Sequence, residues 1–186
     1  MSALLLIDVQ QAFGGTTWGA RNNPDAERNI ASLLAAWRER GLPIIHVRHD
    51  SVEPQSPLRP GLPGNQFTPE AMPQAGEPVF GKHVNSAFIG TELEKYLRQH
   101  GIQNLVMAGM TTDHCVSTSA RMAANLGFNV VVVDDACCTF DRRDQDGDHY
   151  SAELMHRTAL ASLHKEFARV VRTNDVLNAR AQSSTS

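Results

Sequence analysis

Short apolar runs alternate with longer amphipathic stretches along this chain. The runs are almost uninterrupted, which is typical of strands buried on both faces of a parallel sheet. In the longer stretches, apolar side chains recur three and four residues apart, which predicts helices packed on one face. The predicted strands are 3–8, 44–48, 104–109, 130–133 and 168–171. The predicted helices are 24–40, 91–100, 111–126 and 150–164, and the second begins with the capping-box pattern Thr91-Glu-Leu-Glu.

This alternation predicts an α/β fold with a doubly wound, mostly parallel six-stranded sheet flanked by helices. We expect the strand order 3-2-1-4-5-6, with the short extended segment 78–81 as strand 3. We expect residues 1–186 to form a single domain, with the polar residues 179–186 as a frayed tail. The proline-rich stretch 50–78 is a long irregular loop, which either closes a binding site or contacts a neighbouring subunit.

The fold prediction also locates a binding site. In such sheets, ligands bind beyond the carboxyl ends of the strands, where the strand order reverses. In the expected order, that point lies between strands 1 and 4. Asp8 and the turn 111–115 follow these two strands, so we expect them to meet although they are far apart in the sequence.

Composition and charge exclude several classes of function. The 186 residues are 41% apolar, as in an ordinary globular domain, and the net charge of -3 provides no basic surface for nucleic acid or an anionic membrane. No apolar run approaches the ~20 residues of a membrane-spanning helix. The cysteines are Cys115, Cys137 and Cys138, an odd number with two adjacent, which does not indicate a disulfide framework. We therefore expect a cytoplasmic protein. Cys137 and Cys138 follow strand 5 and are expected to pack near the wall of the binding pocket.

Three residues are candidates for chemistry. Cys115 lies in the first turn of a predicted helix, where backbone N–H groups and the helix dipole favour a thiolate and can hold an oxyanion. Asp8 closes a buried strand and can exchange protons with a thiol. Lys82 follows strand 3, and its positive charge would favour the ionised forms of both groups. The alternatives are a structural cysteine, a capping or salt-bridging aspartate, and a solvated surface lysine.

Four stretches of the chain form a recognisable set. They are Leu5-Leu-Ile-Asp-Val-Gln-Gln-Ala-Phe13, Gly81-Lys-His-Val-Asn-Ser-Ala-Phe88, Ala108-Gly-Met-Thr-Thr-Asp-His-Cys-Val116 and Val133-Asp-Asp-Ala-Cys137. In this order and spacing, the chain resembles the isochorismatase-like cysteine hydrolases, which include nicotinamidases, N-carbamoylsarcosine amidohydrolase and isochorismatase. The resemblance extends over about residues 3–175.

The resemblance implies a fold, a catalytic triad and a reaction. The fold is isochorismatase-like, with Cys115 as nucleophile, Asp8 as general acid and base, and Lys82 as electrostatic support. A cis peptide bond between Met110 and Thr111 would turn the Thr111 N–H toward the substrate, to form an oxyanion hole with the Cys115 N–H. The expected enzyme is a cysteine-dependent hydrolase of a small amide or carbamoyl compound, acting on C–N bonds other than peptide bonds through a thioester intermediate.

Two other enzymes of this family remain as alternatives. An isochorismate-type vinyl-ether hydrolase shares the fold but does not rely on the cysteine. A metal-dependent nicotinamidase needs a metal site after strand 2, where this chain has His46, His49 and Asp50 at a different spacing. We therefore expect no metal and no cofactor. A third, non-enzymatic possibility is a binding module, which predicts no selective reactivity at Cys115.

Side chains near the triad in sequence are candidates for the substrate pocket. They are Gln11, Phe13, Trp18, Asn85, Phe88 and Phe140. His114 is adjacent to the nucleophile in sequence and is expected at the surface rather than as its base. The expected partner is a small-molecule substrate, and the resemblance implies a homodimer or homotetramer.

Overall fold

The computed structural model of the chain describes residues 2–15 and 17–182. The strands are β1 Ser2–Ile7, β2 Ile44–His49, β3 Val79–Lys82, β4 Asn104–Met110, β5 Asn129–Cys138, β6 Arg142–Arg143, β7 His149–Tyr150 and β8 Arg169–Val171. Six of them form one sheet in the order β3-β2-β1-β4-β5-β8, and all neighbouring strands in it are parallel. The predicted sheet and strand order are confirmed, with β8 as the sixth strand. The strands β6 and β7 form a separate antiparallel hairpin.

Helices cover both faces of this sheet. They are α1 Ala26–Glu39, α2 Leu93–Gln99, α3 Ser117–Asn125, α4 Ala152–Leu163 and α5 Thr173–Gln182. Apolar side chains of α1 and α5 form one core layer with the sheet, and those of α2, α3 and α4 form the other. The strand β1 contributes to both layers, because Leu4 and Leu6 face one and Leu5 and Ile7 face the other. Burial on both faces explains its unbroken apolar sequence.

The structure differs from the sequence prediction at the carboxyl end of the chain. The helix α5 was not predicted, and it includes residues 179–182 of the stretch expected to be frayed. Residues 183–186 of that stretch lie outside the described residues. The strand β5 is also longer than predicted, since it continues through Asp134 to Cys138.

The capping box predicted at Thr91 does not form. The helix α2 begins at Leu93, and the side chain of its N-cap residue Glu92 makes no capping bond. The Thr91 hydroxyl accepts only a long bond from the Leu93 N–H at 3.4 Å, and it donates to the carbonyl oxygen of Ala87 at 2.6 Å, which closes the preceding turn. Glu94 forms an ion pair with Arg98 one turn along the helix. In the part of the chain that the structure describes, no helix is long and apolar enough to span a membrane.

The stretch between β4 and α3 differs from the single predicted helix 111–126. Residues Thr112–Val116 form a turn of π-helix before α3 begins. The wider turn is closed by the Val116 N–H, which donates to the Thr111 carbonyl at 3.1 Å. Turns of π-helix inside helices are frequent at functional sites, and this one contains Cys115.

Candidate active site

Asp8, Lys82 and Cys115 meet at the carboxyl ends of β1, β3 and β4. Lys82 Nζ lies 2.7 Å from Asp8 Oδ2 and 3.3 Å from Cys115 Sγ. Lys82 and Asp8 are both fully buried, and Cys115 is 8% exposed. A carboxylate, an ammonium and a thiol therefore share one small buried volume, as the predicted strand order required.

The backbone at this point is adapted to a close approach of β1 and β4. Asp8 has φ +50, a left-handed conformation that is uncommon outside glycine. Gly109, opposite Ile7 in the neighbouring strand, has φ +132, and a Cβ atom there would overlap the Ile7 carbonyl. A side chain at position 109 would push the two strands apart just where Asp8 and Cys115 meet.

Cys115 lies in the turn that follows β4. The peptide bond between Met110 and Thr111, at the start of this turn, is cis, as the resemblance implied. Thr111 and Cys115 both line the same cavity, so the turn presents its first residue and the thiol to one space.

Burial and charge determine the proton affinities of the buried groups. Burial raises the pKa of Asp8, and the neighbouring Lys82 charge only partly opposes this. Burial, followed by the Asp8 charge, raises the pKa of the Cys115 thiol to about 12. Without substrate, the thiol is therefore protonated near neutral pH, and Asp8 is the adjacent group that can accept its proton.

His49 is a fourth member of this cluster, and the sequence indicated it only as a metal ligand at an unsuitable spacing. Its Nδ1 lies 3.0 Å from Lys82 Nζ, and its ring lines the cavity beside Cys115. Burial and the Lys82 charge lower the pKa of His49 to about 4. The signal that would have found it is the register of β2 and β3, in which His49 is paired with Lys82.

A cavity of about 460 Å³ opens over Cys115. Of the predicted pocket residues, Phe13, Trp18, Asn85 and Phe140 line it. The three aromatic rings form a cluster with centroids 5.8 to 6.4 Å apart. The Trp18 indole N–H donates to the Ala12 carbonyl, so this wall presents ring carbons to a ligand. Three larger surface hollows in the described part of the chain contain none of Asp8, Lys82 and Cys115.

Two pocket predictions are corrected by the structure. Phe88 is buried in the core, where its ring packs 6.0 Å from that of Phe128. Gln11 does not line the cavity, and its amide donates to the Phe67 carbonyl. Closeness to Lys82 or β1 in sequence did not show which way these side chains face.

The long loop 50–78 forms one side of the cavity. Ser51, Glu53, Gln55, Ser56, Pro57 and Leu58 all line it. Asn65 holds this loop in place, because its buried amide donates to the carbonyls of His49 and Leu58 and to the Asp50 carboxylate. The loop therefore encloses the cavity, one of the two roles expected for it.

Other cavity residues were not identified from the sequence as pocket residues. Arg142 lines the cavity and is held by an ion pair with Asp113 at 3.1 Å. His114, expected only at the surface, has a half-exposed side chain and also borders the cavity.

A buried hydrogen-bond chain supports the turn from behind. Thr112 Oγ1 lies 2.8 Å from His156 Nδ1, and His156 Nε2 lies 2.7 Å from Asp134 Oδ1. Because a carboxylate only accepts, Nε2 carries the proton in this bond. The bond from His156 lowers the pKa of Asp134. These hydrogen bonds connect α4 and β5 to Thr112, three positions before Cys115.

The residues do not fit a metal ion of the nicotinamidase kind. Donor atoms of Asp8, His49 and Cys115 converge within 4.8 Å, but Lys82 Nζ already lies among them. His46 is buried against Glu77 and Asp50 is paired with Arg48, so neither is available to a metal at this cluster. A cation would have to displace a buried ammonium.

Two other features lie apart from this site: the cysteines Cys137 and Cys138, and the acidic loop 144–148. Cys137 and Cys138 are fully buried in opposite core layers, and burial raises the pKa of both thiols. Both pack in the core, and neither lines the cavity itself. In the loop 144–148, the Asp144 carboxylate accepts backbone N–H groups of Asp146 and Asp148, as in an ordinary turn.

Comparisons with known proteins identify the family. The Isochorismatase domain model matches residues 2–175. The uncharacterized isochorismatase family protein YrdC of Bacillus subtilis is 43% identical over 176 residues, 95% of this chain and 94% of the relative. Maleamate amidohydrolase of Pseudomonas putida is 29% identical over 191 residues, 94% of this chain and 84% of the relative. A solved isochorismatase-family structure from Chromobacterium violaceum is 52% identical, with a TM-score of 0.93 over 97% of this chain and 93% of that one. The chain therefore belongs to the isochorismatase family of hydrolases.

Proposed function

We propose that the protein hydrolyses a small amide or carbamoyl compound, with Cys115 as nucleophile, Asp8 as general acid and base, and Lys82 as their electrostatic partner. The observation that carries this proposal is the convergence of these three groups: Asp8 and Cys115 line one cavity, and the buried Lys82 contacts both. A buried carboxylate and a buried ammonium are costly to place together without a function or a compensating contact.

In the first step, Asp8 removes the Cys115 proton as the sulfur attacks the carbonyl carbon. The S–C bond forms, and the carbonyl electron pair moves to oxygen. In this proposal, the backbone N–H groups of Thr111 and Cys115 stabilise that oxyanion. The Lys82 side chain, in contact with both groups, offsets the negative charge that develops on sulfur and on the Asp8 side chain.

In the second step, Asp8 returns its proton to the departing nitrogen. The C–N bond breaks, an amine or ammonia leaves, and a thioester remains on Cys115. Water then attacks the thioester with Asp8 as base, and the acid and the thiol are regenerated. The raised pKa of Asp8 suits both roles, because proton transfer is most effective when the pKa lies near the working pH.

The cavity supports a small substrate. Its volume of about 460 Å³ is near the lower end of ordinary ligand pockets, and aromatic rings form part of its wall. A relative covering most of this chain is named as an amidohydrolase. Retention of the cysteine favours this reaction over vinyl-ether hydrolysis of the isochorismate type, which does not depend on a thiol.

A turnover screen by mass spectrometry tests the proposal. Wild type, Cys115→Ala, Cys115→Ser and the exposed-site control Lys95→Met would each meet the same panel of small amides, carbamoyl compounds, lactams and isochorismate. We expect turnover with release of ammonia or an amine in wild type and the control, and its loss in both cysteine variants. Isochorismate turnover that survives in Cys115→Ala would contradict the proposal and favour the vinyl-ether reaction.

A further inference from the structure

His49 lies in the active-site cluster without a role in the reaction described above. It is the last residue of β2 and pairs in register with Lys82 of β3. Its ring borders the cavity that contains Cys115. It is therefore placed to contact both the catalytic lysine and a bound ligand.

The contact with Lys82 determines which ring nitrogen carries the proton. An ammonium group can only donate hydrogen bonds, so Nδ1, 3.0 Å from Lys82 Nζ, must be the accepting nitrogen. The proton of the neutral ring then lies on Nε2. Burial and the Lys82 charge lower the pKa of His49 to about 4, which keeps the ring neutral near physiological pH. Among the described residues, none accepts a hydrogen bond from His49 Nε2.

The backbone that carries the ring is held on both sides. The His49 N–H donates to Gln10 Oε1 at 2.9 Å, and the His49 carbonyl accepts from Gln10 Nε2 at 3.1 Å. Asn65 Nδ2 donates to the same carbonyl at 2.9 Å. Gln10 and Asn65 are both buried, so the ring is positioned before a ligand arrives.

We propose that His49 is a substrate-binding residue whose Nε2–H donates to a hydrogen-bond acceptor in the acyl part of the substrate. This rests on the proposed function, and it narrows the substrate class. The preferred substrates are amides whose acyl group bears a ring nitrogen, carbonyl or carboxylate near the scissile carbon. A plain hydrocarbon acyl group would leave this donor unpaired inside the cavity, which is unfavourable.

A competing role for His49 is to position Lys82 alone. Lys82 Nζ is also held by Asp8 and by the Val84 carbonyl at 3.1 Å, so His49 is one of several contacts. Two substitutions separate these roles. In His49→Asn, the side-chain oxygen can replace Nδ1 as the acceptor for Lys82, but the Nε2 donor is lost. In His49→Gln, the side-chain amide reaches the position of Nε2 and keeps a donor there.

Aromatic aldehydes test the donor without requiring turnover. The Cys115 thiol adds reversibly to an aldehyde: the S–C bond forms, the carbonyl π bond breaks, and the thiol proton goes to the oxygen. Benzaldehyde and the three pyridine carbaldehyde isomers differ only in the ring acceptor. Their dissociation constants can be measured by protection of Cys115 from iodoacetamide, read by mass spectrometry. The same additions to N-acetylcysteine correct for intrinsic reactivity.

We expect wild type to bind at least one pyridine isomer about tenfold more tightly than benzaldehyde after this correction. His49→Asn should lose the preference while keeping its benzaldehyde affinity, and His49→Gln should retain part of it. The control His100→Asn replaces an exposed histidine that does not line the cavity, and it should behave as wild type. Circular dichroism would verify that all variants are folded.

Two results would overturn the inference. One is a wild-type protein with no corrected preference for any pyridine isomer. The other is an equal loss for all four aldehydes in His49→Asn, which would assign His49 to Lys82 alone. Aldehyde addition needs only the Cys115 thiol and involves no hydrolysis. Either result would therefore reject the role of His49 without contradicting the proposal that the protein hydrolyses an amide. Conversely, the protein could show a His49-dependent preference for a pyridine isomer and hydrolyse no amide. That result would contradict the proposed function but would support His49 as a ligand-binding donor.

Discussion

Replacing Lys82 by Met removes the only positive charge in contact with the Asp8 carboxylate among the described residues. The two side chains are fully buried and 2.7 Å apart. Breaking a buried ion pair by removing one partner costs about 3–5 kcal/mol of the free energy of unfolding. We expect that cost in Lys82→Met at about pH 8, where an ionised Asp8 carboxylate would have no positively charged partner.

The cost should depend on pH in a defined direction. Lys82 lowers the pKa of Asp8, so its removal raises that pKa further above the ordinary value of 3.8. An acid with a raised folded-state pKa binds its proton more tightly when folded. Stability is therefore lost as pH rises from the unfolded pKa toward the folded one, by up to about 1.4 kcal/mol per pH unit. The deficit of Lys82→Met should be smaller at about pH 5 than at about pH 8.

Urea unfolding followed by tryptophan fluorescence at several pH values measures this effect. The double variant Asp8→Asn, Lys82→Met removes both charges and should recover much of the loss at the higher pH. Lys95→Met breaks an exposed pair with Glu92, and its free energy of unfolding should stay close to that of wild type at every pH. A deficit independent of pH, or a double variant as unstable as Lys82→Met, would refute the reasoning.

Three further predictions concern the turn and its neighbours. Burial and then the Asp8 charge raise the pKa of Cys115. Asp8→Asn should therefore speed alkylation of Cys115 by iodoacetamide and abolish amide turnover. Alkylation slower than in wild type would contradict this effect of the Asp8 charge. Gly109→Ala places a Cβ against the backbone of β1, so urea unfolding should show a loss of more than about 4 kcal/mol, and a small loss would contradict the close approach. Thr112→Val removes the hydroxyl bonded to His156, and steady-state kinetics should show kcat lowered about tenfold with KM unchanged. Thr112→Ser should keep kcat, and an unchanged kcat in Thr112→Val would exclude the hydrogen-bond chain from catalysis.

The sheet and the meeting of Asp8 with Cys115 were predictable because their signals are local. Asp8 ends an unbroken apolar run, and Cys115 follows a strand and a short polar turn. The strand order then brings the two together without any knowledge of side-chain packing.

The parts that were missed depend on contacts between distant segments. The position of His49 follows from the register of β2 against β3, which pairs residues 33 apart in sequence. Phe88 faces the core because Phe128 offers it a ring to pack against. The helix α5 has a weak apolar pattern, and Val176 is buried in the same core layer as α1. Such packing overrides local propensity.

The central claim is that Cys115 carries the acyl group during hydrolysis. Wild-type protein mixed rapidly with a substrate from the screen, quenched in acid and digested, would be analysed by peptide mass. We predict that the peptide containing Cys115 gains the mass of the acyl group, that hydroxylamine releases it, and that ammonia or the amine appears in an equal amount. Turnover with Cys115 unmodified throughout, and preserved in Cys115→Ala, would contradict the account.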